Sequence, residues 1–189
     1  VEVLSLGPHS NTITSMSRTQ EGNWYLSSSR FRRYGYRNNE QNYYKGANAF
    51  ISIWNEYDNS WVYFNESDFP KINNPDINCH LNINEDFLVL GTMEGIIIIS
   101  THDSKDFNII SRKDGLRDRA VFDLEEYNNQ LFVMTAEGIA LYSMQYNVVT
   151  NQNILDSFNL IDPEILDINI LNDDLFFSTK AGLFKYSII

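Results

Sequence analysis

Histidine is the usual proton shuttle and metal ligand, and this chain carries three: His9, His80 and His102. His9 lies between Pro8 and Ser10, and His102 stands beside Asp103 in a turn-like stretch; neither has a partner at ligand spacing. His80 differs, because one repeat period separates it from Asp123 and a second separates Asp123 from Asp167. The three read as equivalent positions on successive units, with side chains converging on a central channel. Such a set is either a polar, cation-attracting channel mouth or a solvated wall that tolerates polar residues. Paired carboxylates occur at Glu85-Asp86, Glu125-Glu126 and Asp173-Asp174. Acid/base hydrolysis of a glycoside needs two carboxyl groups about 5–10 Å apart across a cleft, whereas neighbours on a strand point to opposite faces. They read as acids that keep strand ends soluble. No Gly-x-Ser-x-Gly elbow, phosphate-cradling glycine loop or His-Glu-x-x-His motif occurs, so no catalytic residue, metal ligand or cofactor is assigned.

The second chemical signal is a basic run, Arg30-Phe-Arg-Arg-Tyr-Gly-Tyr-Arg37, containing Arg30, Arg32, Arg33 and Arg37. Residues 1–45 hold six basic and three acidic side chains, and residues 46–189 hold eight and 22, so the chain is electrically two-sided. Arginine interleaved with tyrosine stacks on and hydrogen-bonds an anionic or aromatic partner. The alternative is a wet strand face neutralised by the acidic remainder of the molecule. Half of the 26 aromatic residues, 13 including all three tryptophans, fall in residues 24–64. Tyr43, Tyr44 and Trp54 add aromatic surface beyond what a solvent loop needs, which favours a protein partner and leaves a small-molecule or glycan ligand open. Otherwise Trp54, Trp61 and Tyr63 are core residues of a fourth strand.

The elements that position these groups follow from composition and repetition. With 189 residues and 43% hydrophobic content the chain is long enough for one domain with a substantial core. A net charge of −11 repels phosphate backbones, so nucleic acid is not an expected partner. No apolar run reaches the roughly 20 residues of a membrane-crossing helix. A single cysteine, Cys79, leaves no internal disulfide. The chain opens at Val1 with no charged-then-apolar leader, which reads as a processed chain or a piece of something longer.

Three segments align without gaps: Asp86-Phe-Leu-Val-Leu-Gly-Thr-Met-Glu-Gly95, Asn129-Gln-Leu-Phe-Val-Met-Thr-Ala-Glu-Gly138 and Asp173-Asp-Leu-Phe-Phe-Ser-Thr-Lys-Ala-Gly182. Their threonines, Thr92, Thr135 and Thr179, recur at the spacing of propeller blades. Upstream, Leu81, Leu124 and Ile168 fall in matching columns before an acidic or amide turn. A weaker copy opens the chain at Ile13-Thr-Ser-Met16 and Glu21-Gly-Asn-Trp-Tyr-Leu-Ser-Ser28, with a third strand expected at Arg30–Tyr34 and an insertion near 37–60. Each copy reads as short β strands bounded by Asn, Asp and Gly, and helical periodicity is nearly absent.

Gly22-Asn-Trp-Tyr-Leu-Ser-Ser28, and Arg112-Lys-Asp-Gly-Leu-Arg-Asp-Arg-Ala-Val121 leading into Leu131-Phe-Val-Met-Thr-Ala-Glu-Gly138, resemble the repeat of the two-component-regulator propeller family, and more loosely WD40-like repeats. The family's core tryptophan is replaced by Val89, Phe132 and Phe176. The resemblance implies an extracytoplasmic sensing region of a signalling protein; a WD40-like scaffold subunit would instead be cytoplasmic or nuclear.

The expected fold is therefore an all-β propeller of about four antiparallel four-stranded blades, spanning 1–189 as one domain and either closed or part of a larger propeller. Blades are expected at about 7–70, 71–113, 114–157 and 158–189, with 1–6 as a candidate closing strand. The expected function is non-catalytic recognition through Arg30, Arg32, Arg33, Arg37, Tyr43, Tyr44 and Trp54, with His80, Asp123 and Asp167 facing the channel. A scaffold subunit and a carbohydrate-binding or carbohydrate-active propeller are the alternatives.

Overall fold

The structure is a computed structural model that describes residues 7–8, 13–28, 49–65, 77–102, 105–150, 154–158 and 164–188. Fifteen described strands form four antiparallel sheets. The first sheet comprises β1 (Ser15–Arg18), β2 (Asn23–Ser27), β3 (Ala49–Asn55) and β4 (Ser60–Asn65). The second comprises β5 (Ile77–Ile83), β6 (Phe87–Thr92), β7 (Gly95–Ser100) and β8 (Phe107–Ile110). The third comprises β9 (Val121–Tyr127), β10 (Gln130–Thr135), β11 (Gly138–Ser143) and β12 (Val148–Thr150), and the fourth β13 (Ile165–Leu171), β14 (Asp174–Thr179) and β15 (Gly182–Ser187). Each sheet is an up-and-down meander in sequence order.

Two turn chemistries make the meander. Between the first two strands of each later sheet the chain passes through paired left-handed residues, Asn84-Glu85, Asn128-Asn129 and Asn172-Asp173. Amide and acidic side chains tolerate that conformation, and its twist matches a hairpin. Between the second and third strands lies the Thr-x-x-Gly signature. Thr92, Thr135 and Thr179 each donate from Oγ1 to the carbonyl of the glycine three residues on, at 2.9, 3.0 and 3.2 Å. Gly95, Gly138 and Gly182 hold φ of 126°, 131° and 138°, where a side chain is strained. The repeated threonine thus closes a turn.

The sheets stack face to face, with β1 beside β5, β5 beside β9 and β9 beside β13. Strand alternation gives each sheet one face toward its predecessor and one toward its successor. Tyr25 and Ile51 of the first sheet meet Ile77, Leu88, Leu90 and Ile97 of the second. Cys79, Val89 and Ile96 meet Val121, Leu124, Val133 and Ala140. Phe132 and Met134 meet Ile168, Leu175 and Phe177. No sheet is thick enough to bury itself, so three apolar seams constitute the core. Leu116, which follows the left-handed Gly115, is buried in the middle seam.

The first sheet departs from expectation. Its third strand is Ala49–Asn55, within the range assigned to an insertion, and pairs with β2 through Tyr25↔Ile53 and Ser27↔Ile51. The extra residues therefore precede the third strand, in 28–48. Alternation of Ile51, Ile53 and their polar neighbours places fully buried Ile51 in the seam, which fixes the strand there. The strand expected at Arg30–Tyr34 and the closing strand at 1–6 lie outside the described residues.

Candidate functional site

His80 is held on β5 in the seam with the first sheet. Its Nε2 is 2.8 Å from Ser17 Oγ on β1, and its Nδ1 is 3.1 Å from Ser27 Oγ on β2. Asn82 donates from Nδ2 to the same Ser17 oxygen at 2.6 Å. Burial pushes the imidazole pKa down to about 4, so the ring is neutral at physiological pH and uses one nitrogen as donor and the other as acceptor. It is a satisfied seam histidine.

Asp123 lies in a different seam. Its Oδ2 accepts from the backbone N–H of Ile168 on β13 at 3.1 Å, and its Oδ1 from the N–H of Leu124 at 2.9 Å. Two residues on, and hence on the same face, Glu125 Oε1 accepts from Asn169 Nδ2 at 3.4 Å. Burial, then the charges of Asp123 and Asp167, raise Glu125 to about 7. Burial, outweighing the two backbone N–H bonds, and the adjacent Asp167 raise Asp123 as well. Asp167 is exposed to solvent, with its carboxyl beside that of Asp123.

The expected equivalence of His80, Asp123 and Asp167 is corrected by strand register. Asp123 pairs with Met134 and Asp167 with Ser178, each one residue before the repeat threonine; the residue so placed on β5 is Cys79, paired with Gly91. His80 pairs with Leu90 and is equivalent to Leu124 and Ile168. The physical cause is the turn after β5. It spans 84–86, whereas its counterparts are 128–129 and 172–173, so one additional residue, Asp86, separates the strands. A count anchored on β6 is then one residue out on β5, and a one-residue slip moves a side chain to the other face. Leu81 is displaced from Leu124 and Ile168 for the same reason. Buried Cys79 sits where the later sheets carry aspartate, and burial followed by the charge of Asp123 pushes its thiol pKa up.

The remaining ionisable pairs have local roles. Glu85 Oε1 accepts from the Gln20 N–H at 2.8 Å, Asp86 Oδ1 lies 3.1 Å from His102 Nε2, and Glu126 Oε1 accepts from the Asn129 N–H at 2.7 Å. Asp173 accepts from Tyr127 Oη at 2.5 Å, and Asp174 pairs with Lys185 at 2.8 Å. Glu125 is the exception to the expectation that these acids serve strand ends. Ser17, Ser27, Asn82 and Asn169 were not singled out from sequence, and Glu125 was singled out only as half of an acidic pair, although its period-two spacing from Asp123 was a usable signal for a shared face.

Trp54 sits on β3, not on a fourth strand, in register with Trp24 on β2 and Trp61 on β4. Ring centroids are 6.5 Å apart for Trp24–Trp54, 6.1 Å for Trp54–Trp61 and 6.1 Å for Trp61–Tyr63. The row lies on the face turned away from the second sheet. Arg18 closes its inner end, 6.0 Å from the Trp24 ring centre, and Glu56 accepts from both the Arg18 guanidinium and, at 3.0 Å, Trp24 Nε1. Trp54 has an indole on either side, and its Nε1 donates to Asn59 Oδ1 at 3.0 Å. Arg30, Arg32, Arg33, Arg37, Tyr43 and Tyr44 lie outside the described residues, in the connection between β2 and β3. Its stems leave the sheet next to Ser27 and Ala49, three and five residues along the strands from the Trp24–Trp54 pair, or about 10 and 16 Å at ~3.3 Å per residue.

Neither a protein-family model nor a curated protein matches the sequence. Solved structures do. The extracellular domain of BT3049 from B. thetaiotaomicron, described as a hybrid two-component system, superposes with a TM-score of 0.68 at 18% identity, over 95% of this chain and 22% of that one. YCF48 bound to D1 peptide gives 0.63 at 16% identity, over 92% and 50%, and streptogramin B lyase 0.63 at 11%, over 97% and 56%. At such identities the likeness is one of fold, and that fold is of propeller type. This chain spans about a fifth to a half of the length of these neighbours. They include a peptide-bound protein and a lyase, so the fold is shared by recognition and catalysis alike.

Proposed function

We propose that the chain is a non-catalytic recognition module of propeller type that docks a protein segment carrying acidic and aromatic side chains. The supporting observation is the placement of the β2–β3 connection. The other sheets join the corresponding strands by two residues, 93–94, 136–137 and 180–181, whereas the first sheet spends residues 28–48 there. Those residues include Arg30, Arg32, Arg33, Arg37, Tyr43 and Tyr44, in an otherwise acidic molecule. Bidentate guanidinium contacts and flat tyrosine rings bind carboxylates and aromatics with little loss of side-chain freedom. Trp54 lies on the same sheet. The units behind this surface are blades bounded near 70, 113 and 157. In a sensor the module would receive the signal; in a scaffold it would hold a subunit.

The test is a binding screen of immobilised chain against a panel of acidic, aromatic-bearing peptides and a panel of neutral glycans. Capture of peptides, weakened about tenfold or more by the double reversal Arg32→Glu/Arg33→Glu, supports the proposal. Peptide capture by the double variant at the wild-type level overturns it. Glycan capture lost in Trp54→Ala overturns it in favour of a carbohydrate-binding module.

A further inference from the structure

We infer that the connector between β8 and β9 is a docking point of its own, where Arg112, Lys113 and Arg117 take the carboxylates of an acidic protein segment. The inference rests on the recognition proposal for the class of partner and adds residues which that proposal does not use. Its basis is a contrast among the cations. Arg119 sits 3.5 Å from Glu94 and Lys185 2.8 Å from Asp174, while Arg18 and Lys180 pair with Glu56 and Glu164. Arg112, Lys113 and Arg117 have no carboxylate partner among the described residues, although the chain carries a net charge of −11. All three belong to one connector, residues 111–120.

The acids of the connector are already used. Asp114 Oδ2 accepts from the Ser111 N–H and hydroxyl, each at 2.9 Å, and Asp118 Oδ1 accepts from the Arg119 N–H at 2.7 Å. Further local bonds fix the backbone. Ser111 Oγ accepts from the Lys113 N–H at 3.3 Å, the Ser111 carbonyl accepts from the Leu116 N–H at 3.2 Å, and Gly115 makes the left-handed turn. Leu116 and Ala120 are buried, whereas Arg112 and Lys113 are exposed and Arg117 is half-buried. The cations thus stand on a backbone that is ordered before a partner arrives, which lowers the cost of binding. Guanidinium forks fit carboxylates, and three cations on so acidic a chain suit a few carboxylates rather than a continuous phosphate backbone.

Position links this connector to the other basic segment. Within the second sheet β6 and β8 run in the same direction, so the connector leaves at the end that holds the Thr92–Gly95 turn. Thr14 bonds Ile77 and Ser17 bonds His80 across the first seam, so β1 and β5 run side by side in the same direction. The β2–β3 connection therefore leaves at that end as well, and one extended segment can address both.

Fluorescence anisotropy of a labelled peptide of Glu-Glu-Tyr repeats, beside a Gln-Gln-Tyr counterpart, tests the inference on the full chain. Arg112→Gln/Lys113→Gln/Arg117→Gln removes the unpaired cations, and Arg119→Gln/Lys180→Gln/Lys185→Gln removes as many that already have a carboxylate. The first variant breaks no ion pair of the fold, so its melting transition should match the wild type. The expected result is binding of the glutamate peptide, weakened about tenfold or more in the first variant and less than about threefold in the second. Equal weakening in the two is an effect of net charge alone and overturns the inference. So does wild-type affinity in the first variant, or a wild type that binds neither peptide or both equally. Displacement of the peptide by inorganic polyphosphate at lower concentration than by unlabelled glutamate peptide overturns it in favour of a phosphate ligand. Arg32→Glu/Arg33→Glu keeps the two readings apart. Binding lost there and kept in the connector variant leaves the recognition proposal standing and overturns this inference, and the converse result upholds the connector without the arginine run.

Discussion

Replacing His80 by glutamine should remove most of the chain's acid sensitivity between pH 6.5 and 4. The imidazole is 8% exposed and held between the Ser17 and Ser27 hydroxyls at 2.8 and 3.1 Å. Its pKa is about 4 in the fold, lowered by burial from an ordinary value of 6.5. Below 6.5 the unfolded chain takes up a proton that the folded chain refuses until pH 4, so unfolding is favoured progressively as pH falls through that window. A depression of this size corresponds to about 3 kcal/mol, a large share of the 5–15 kcal/mol typical of a domain. Urea unfolding of wild type and His80→Gln across pH 4 to 8 reads it directly. Glutamine retains a donor and an acceptor but does not titrate, so contributions from every other group cancel in the difference between the two curves. At neutral pH the variant should be somewhat less stable, by roughly 1–2 kcal/mol, through poorer hydrogen-bond geometry. The difference should then shrink and reverse toward pH 4. Parallel curves would refute the placement of a neutral, buried imidazole in this seam.

Glu125 carries the opposite sign: raised to about 7 by burial and by Asp123 and Asp167, it costs stability as pH climbs from 4.5 through 7, and Glu125→Gln should flatten that limb of a urea-midpoint profile. Asp123→Ala removes the acceptor shared by Ile168 and Leu124 and should cost about 1–3 kcal/mol, with faster amide exchange at Ile168 than at Val133 as its signature. Gly95→Ala and Gly182→Ala strain similar positive-φ turns, yet a Cβ at 95 would come within 2.1 Å of the Ile110 carbonyl oxygen and a Cβ at 182 meets nothing within 4 Å. Melting temperatures should therefore rank Gly182→Ala above Gly95→Ala, the extra loss being about 2 kcal/mol or more; equal losses would count against the contact between β7 and β8.

The sequence by itself determined what depends on near neighbours along the chain. Asn-Asn, Asn-Asp and Thr-x-x-Gly select turns through side-chain bonds and tolerance of positive φ that act within a few residues, so three of the four meanders were legible as a repeat. Position along a strand was decided elsewhere. Asp86 lengthens one turn by a residue, and only pairing across the sheet reveals that Cys79, not His80, is the counterpart of Asp123 and Asp167. The third strand of the first sheet was hidden behind residues 28–48, because joining β2 to β3 over that distance relies on burying Ile51 and Tyr25 against the next sheet rather than on any local turn. The serines around His80, and the backbone N–H that Asp123 captures, lie more than 40 residues away in sequence. Partners that far apart meet only through packing of sheet on sheet, and that packing sets Asp123 and Asp167 side by side while it holds His80 between two serines in another seam.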